Sequence, residues 1–159
     1  MRMQPVQLIE AYSGWEQYQQ LLVEAIASLT PDQLELRAAP DLRSIGEIAT
    51  HMIGARARWF HGRMGAGGSE FDEFGRWDRE EGQPVRNAAE LEMGFETTWR
   101  VIHECLTRWT TDDLDQTYNT LGRTFTRKWI IWHVVEHDLH HGGEISLTLG
   151  MHGLRAPDI

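Results

Sequence analysis

Cysteine is all but missing from this chain. Cys105 stands alone, so no internal disulfide and no Cys-x-x-Cys zinc knuckle or redox pair can form. Long apolar runs are missing too: none approaches the roughly 18 residues that read as a membrane-spanning helix. The opening Met1-Arg2-Met3-Gln4-Pro5 lacks the apolar core of a signal peptide, so the expected setting is the cytoplasm, away from membranes. Positive charge is scarce, with 15 Lys and Arg against 24 Asp and Glu and a formal net charge of −9. Nucleic acid is therefore not expected as a partner, because phosphate binding needs a basic surface. Period-two alternation between turn residues is not sustained anywhere, so no strand is expected.

What remains is helix periodicity with an excess of histidine and tryptophan. The 159 residues, 41% of them hydrophobic, suit one domain over 1–159 with one core. Leu8, Tyr12, Trp15, Gln19, Leu22, Ile26 and Leu29 recur at spacings of four and three, interrupted only by Gln19. That pattern predicts an amphipathic helix from about Val6 to Leu29. Thr30-Pro31 then opens a short turn through Leu36. Ser44 with Glu47 forms a capping box for a second helix, whose stripe of Ile45, Ile48, Ala49, Met52, Ile53, Trp59 and Phe60 runs to about Arg63. Periodicity then lapses over Met64–Arg86, which reads as a long glycine-bearing loop, a lid or a dimer contact. Asn87 and Glu90 cap a third helix running to Trp109. A connection over Thr110–Arg123, with a helical turn near Asp112–Asp115, leads to a fourth helix from Thr126 to about Leu149. The expected fold is all-α, a four-helix bundle with a long loop between helices 2 and 3.

Eight histidines and seven tryptophans need placing. On the fourth helix, taking His133 as zero and 100° per residue, His137 falls at about 40°, His141 at about 80°, His140 at about −20° and Glu144 at about 20°. Five metal-capable side chains thus share one sector. Residues four apart lie about 5–6 Å apart at Cβ, so His137/His141 or His133/His137 can converge on one ion. His51 lies on the flank of the second helix's buried face, where a neighbouring helix can meet it. His61, His103 and His152 read as surface or boundary residues. Cys105 falls on the apolar side of the third helix as a buried inert thiol, and Trp129 and Trp132 read as core or interface. Arg56 and Arg58, following His51 on its helix, are the cationic groups available to greet an anionic substrate.

Two stretches resemble the DinB superfamily of metal-binding four-helix bundles, also called DinB/YfiT-like. Ser44-Ile-Gly-Glu-Ile-Ala-Thr-His51 is similar to that family's second-helix pattern of a capping Ser, Gly-Glu and a ligand His. His137-Asp-Leu-His140-His141-Gly-Gly-Glu144-Ile is similar to its fourth-helix pattern, usually His-x-x-His-His-Arg-Gly-Gln-Ile. The resemblance, over essentially the whole chain, implies a metal triad of His51, His137 and His141, with His140 outside it. An alternative set has His133 in place of His141. Arg43 stands where the family usually has Trp, Gly142 where Arg is common and Glu144 where Gln is common. A carboxylate one turn from His141 can orient that imidazole or join the coordination.

Three neutral imidazoles leave open positions on a divalent ion, as in catalytic sites, and suit Zn, Ni or Fe. An open position can bind water or hold a thiol as thiolate. The resemblance favours the second, since some DinB-like proteins are metal-dependent thiol S-transferases. The expected function is transfer of a low-molecular-weight thiol to a small electrophile. The alternatives are a non-catalytic metal-binding stress or damage-response protein and a metal-assisted hydrolase. Glu144, His133 and Arg58 are the further site candidates, and a homodimer is expected.

Overall fold

The structure, a computed structural model, describes residues 5–157. Residues 1–4, read above for a signal sequence, and residues 158–159 lie outside it.

The first amphipathic segment forms two pieces, α1 (Leu8–Ala11) and α2 (Ser13–Ala27), because Tyr12 leaves helical backbone at φ −111°, ψ 19°. The break lets α1 tie to the far end of the third long helix, where the Leu8 N–H donates to the Trp109 carbonyl at 3.0 Å. Thr30 caps the short α3 (Pro31–Leu34). Helix α4 (Ile45–Ala57) starts on the expected box: Ser44 Oγ accepts from the Glu47 N–H at 3.2 Å, and the Glu47 carboxylate accepts from the Ser44 N–H at 2.7 Å. It continues as a π-helical turn over Arg58–Arg63.

The segment expected as a loop over Met64–Arg86 is structured. It contains α5 (Glu70–Phe74) and buries Phe71, Phe74 and Trp77. Three aromatic rings at three-residue intervals supply enough apolar area to pin it to the core, at about 1.5–3 kcal/mol for each fully buried large side chain. Those aromatics are thus committed to packing. Asn87 and Glu90 cap α6 (Ala88–Arg108) reciprocally at 2.9 Å.

A 3₁₀ turn over Thr111–Asp113 precedes a hairpin that the sequence reading missed. Strands β1 (Thr117–Thr120) and β2 (Arg123–Thr126) pair antiparallel, Thr117 opposite Thr126 and Thr120 opposite Arg123. The two-residue turn is Leu121-Gly122, both at positive φ (53° and 70°). Such primed turns match the twist of a hairpin. Four-residue strands with a leucine in the turn carry too weak a signal to read in advance. Helix α7 (Arg127–Met151), capped by Thr126, runs one turn-fraction past the expected end, with Gly150 inside it and the left-handed Gly153 after it.

The fold is mostly helical. Helix α6 packs on α1, α2 and α4, and α4 packs on α7. Leu22, Ile26, Met52, Ile53, Phe60, Leu91, Phe95, Ile102 and Val134 form the fully buried centre. Cys105 is buried as expected, and burial pushes its thiol pKa up. Trp129 and Trp132, expected in the core or at an interface, are not in the core: they are 42% and 56% exposed. They fall on the outer side of α7, since Ile130, Ile131 and Val134 take its buried side.

One polar cluster is sealed within this core. Arg56 and Asp138, both fully buried, form an ion pair between α4 and α7 at 2.7 Å. Gln19 accepts from Arg56 Nη1 at 2.7 Å, and Trp15 Nε1 donates to Asp138 at 2.8 Å. Gln19, the interruption in the first stripe, is therefore a core residue with a partner. Arg56 is not a substrate contact, because its guanidinium is enclosed.

Candidate metal centre

The Arg56–Asp138 pair fixes the register of α4 against α7, and the histidines lie on either side of that clamp. His51, one turn before Arg56 on α4, meets His137 and His141 on α7. His51 Nε2 lies 3.0 Å from His137 Nε2. Ring centroids are 4.9 Å apart for His51 with His137, 4.9 Å for His51 with His141 and 4.4 Å for His137 with His141. One ligand nitrogen from each ring lies within 4.8 Å of the others.

Two of the rings are held by carboxylates. His51 Nδ1 lies 2.6 Å from Asp78 Oδ2, and His141 Nδ1 lies 2.7 Å from Glu144 Oε2. A carboxylate can only accept, so each Nδ1 carries the proton and each Nε2 keeps its lone pair in the neutral ring. Glu144 therefore acts on His141 through Nδ1 in this arrangement. Asp78 was absent from the sequence reading because it sits 27 residues from His51, inside the supposed loop. It is held in turn by Arg58, whose guanidinium donates to both carboxylate oxygens and to the Gly75 carbonyl. Arg58 is thus neither a solvated surface residue nor a free cation. Burial raises the Asp78 pKa, but the hydrogen bonds and charges of His51 and Arg58 outweigh it and hold the carboxyl at about 2.

His137 has no such carboxylate. Its Nδ1 is buried and without a hydrogen-bond partner among the described residues. Burial, followed by the neighbouring His141, His51 and His133, lowers its pKa to about 3. Burial also lowers that of His141, opposed by Glu144. Neutral imidazoles are the form that donates to a metal.

The donor set fits a divalent ion. Two nitrogens each about 2.0–2.1 Å from one ion, at right or tetrahedral angles, would lie about 2.8–3.4 Å apart. The His51–His137 separation of 3.0 Å falls in that range. A second group of His140, His141 and Glu144 shares His141 and is mostly exposed. His140 itself points outward, 68% exposed. His133 is not gathered into the triad: its ring lies 6.3 Å from His137, stacks on Trp129 at 4.8 Å and meets the edge of Trp59 at 4.7 Å. Its Nδ1 is held by Glu136 at 2.9 Å. His61 and His152 are boundary residues bonded to the carbonyls of Ala66 and Arg37. A cleft of about 350 Å³ between the first half of α4 and residues 83–86 reaches His51 and Asp78, with Glu47, Arg43 and Val85 on its walls.

A histidine-lined centre between two long helices of a mostly helical chain defines a class of protein able to hold a metal ion. The model of the DinB family matches residues 3–159, and the chain belongs to that family. A DinB-like protein from Bacillus cereus ATCC 10987 is similar in fold with a TM-score of 0.75 at 21% identity, over 96% of this chain and 98% of that one. A DinB-like protein from Bacillus subtilis (YjoA) is similar with a TM-score of 0.67 at 16% identity, over 94% and 96%. No curated protein gives a significant match to the sequence.

Proposed function

We propose that this chain is a DinB-type four-helix bundle that holds one divalent ion on His51, His137 and His141 and transfers a low-molecular-weight thiol to a small electrophile. The observation that carries this reading is the convergence of three ring nitrogens, two of them oriented by Asp78 and Glu144. When bound, the ion supplies the positive charge that favours a thiolate over a thiol at neutral pH.

The protein's own groups do the rest. Asp78 and Glu144 keep the Nε2 lone pairs of His51 and His141 aimed at the centre. Arg58 neutralises Asp78, so the carboxylate does not compete as a ligand. His133, its Nδ1 held by Glu136, offers Nε2 to take the proton a thiol releases. The cleft beside His51 admits the electrophile. The sulfur electron pair then forms the S–C bond as the leaving group departs with its bonding pair. The test is elemental analysis of the purified protein, then loss of thiol and electrophile in equal amounts with the metal-loaded protein and a thiol panel. Absence of bound metal, or turnover unchanged in His137→Ala, overturns the reading.

The homodimer belongs to the same proposal. Trp132, Leu139, Leu147 and Met151 are exposed along the outer side of α7, and a second copy covering them would remove their apolar surface from water. Light scattering at micromolar concentration that gives the monomer mass counts against it.

A further inference from the structure

The two arginines expected to greet an anionic substrate are both taken, Arg56 by Asp138 and Arg58 by Asp78. Among the described residues Arg43, Arg63, Arg79, Arg108, Arg123 and Arg155 form no ion pair, in a chain of net charge −9, and of these Arg63 has both Arg58 and Arg79 close by. The π-helical turn matters here, because its i→i+5 bonding brings Arg63 round towards Arg58, whereas an α-helix would set residues five apart about 140° apart. Arg63 is half-buried, its guanidinium lies over the Trp59 ring at 5.3 Å, and its Nε is buried with no partner. A buried unmet donor of a charged group is costly and calls for an acceptor. Burial, together with the charges of Arg58 and Arg79, pulls the Arg63 pKa below the usual guanidinium value, so this is a place where cations crowd. The chain on either side of it faces open space: a side chain built at Gly62 or Gly65 would meet nothing within 4 Å. Trp59 touches His133, and His133 lies next to His137, so Arg63 and the histidine centre are joined by one aromatic wall.

The geometry points to Arg63, assisted by Arg79, as the anchor for a carboxylate on the thiol substrate, with Trp59 as the floor and the sulfur reaching the histidine centre. A planar guanidinium matches a carboxylate in bidentate fashion. The substrate class is therefore a thiol whose carboxylate is several bonds from its sulfur. This inference rests on the thiol-transfer reading for the sulfur end, while the anion end stands on Arg63 alone.

The test separates the two ends. S-methylglutathione, which has carboxylates but no free thiol, is titrated by calorimetry into metal-free protein, alongside its diethyl ester. Binding by the wild type, about tenfold weaker in Arg63→Gln and weaker to a smaller extent in Arg79→Gln, is the expected result. The diethyl ester should bind as weakly as the parent does to Arg63→Gln, and should not respond to that substitution. Equal binding by wild type and Arg63→Gln, equal binding of acid and ester, or no binding at all overturns the inference. Glutathione added to cobalt-loaded protein reports the sulfur end through its thiolate-to-cobalt absorption. Loss of that absorption with calorimetry intact removes the metal reading and leaves the anion anchor standing.

Discussion

Replacing Asp138 with Asn tests the clamp that sets the metal centre. Asp138 is fully buried and accepts from Arg56 Nε at 3.0 Å, Arg56 Nη2 at 2.7 Å and Trp15 Nε1 at 2.8 Å. Asn has one acceptor oxygen, and its NH₂ must face one of those N–H groups, leaving at least one buried donor unmet at about 1–3 kcal/mol. The Arg56 charge also loses its counter-ion while remaining fully buried, and removing one partner of such a pair costs about 3–5 kcal/mol in all. With a typical urea slope of about 2 kcal/mol/M, the midpoint should fall by about 2 M. Urea unfolding followed by far-UV circular dichroism and by tryptophan fluorescence measures it, coincident curves supporting a two-state reading. The double replacement Arg56→Met with Asp138→Leu should be less harmful than Asp138→Asn, because it removes both charges. A single variant that loses under about 1 kcal/mol, or a double variant worse than the single, refutes the reasoning.

Metal content by elemental analysis should fall to background in His137→Ala and stay stoichiometric in His140→Ala, whose ring is 68% exposed. Asp78→Asn and Glu144→Gln should keep the ion but bind it about 10–100-fold more weakly, read by competition with a chelator. Gly142→Ala should lose about 1–3 kcal/mol, because a Cβ there would collide with the Tyr18 hydroxyl and ring. Gly143→Ala, in open space on the same helix, should gain about 0.5–1 kcal/mol, and thermal unfolding of the pair gives both signs. In metal-free protein His137 titrates at about 3 when folded and near 6.5 when unfolded. The unfolded chain then binds more protons in that window, and this residue's effect is to lower stability as pH falls from about 6.5 towards 3. Asp78, held at about 2, acts at lower pH: its stabilisation is present above about 3.9 and is lost as pH falls through about 2. Urea midpoints at pH 7 and 5 should drop less in His137→Ala than in wild type, and an equal drop counts against the His137 assignment.

Sequence by itself determined whatever depends on neighbours three and four residues apart. The reciprocal caps at Ser44/Glu47 and Asn87/Glu90 were legible because each is closed within one turn. So was the sector holding His133, His137, His141 and Glu144, since helix geometry alone puts them on one side of α7. The meeting of His51 with that sector was read from the DinB resemblance rather than from spacing. Only the tertiary structure decided the partners across long separations. Asp78 reaches His51 because Phe71, Phe74 and Trp77 bury a glycine-bearing segment that has no helical period of its own. Arg56 is enclosed rather than offered to substrate because Asp138, 82 residues away, comes opposite it when α4 packs on α7. Arg63 is turned towards Arg58 by a π-helical turn that residue types in sequence do not announce. Local backbone geometry is set by a residue's nearest neighbours, whereas burial and charge pairing are set by which distant surfaces the packed core brings together.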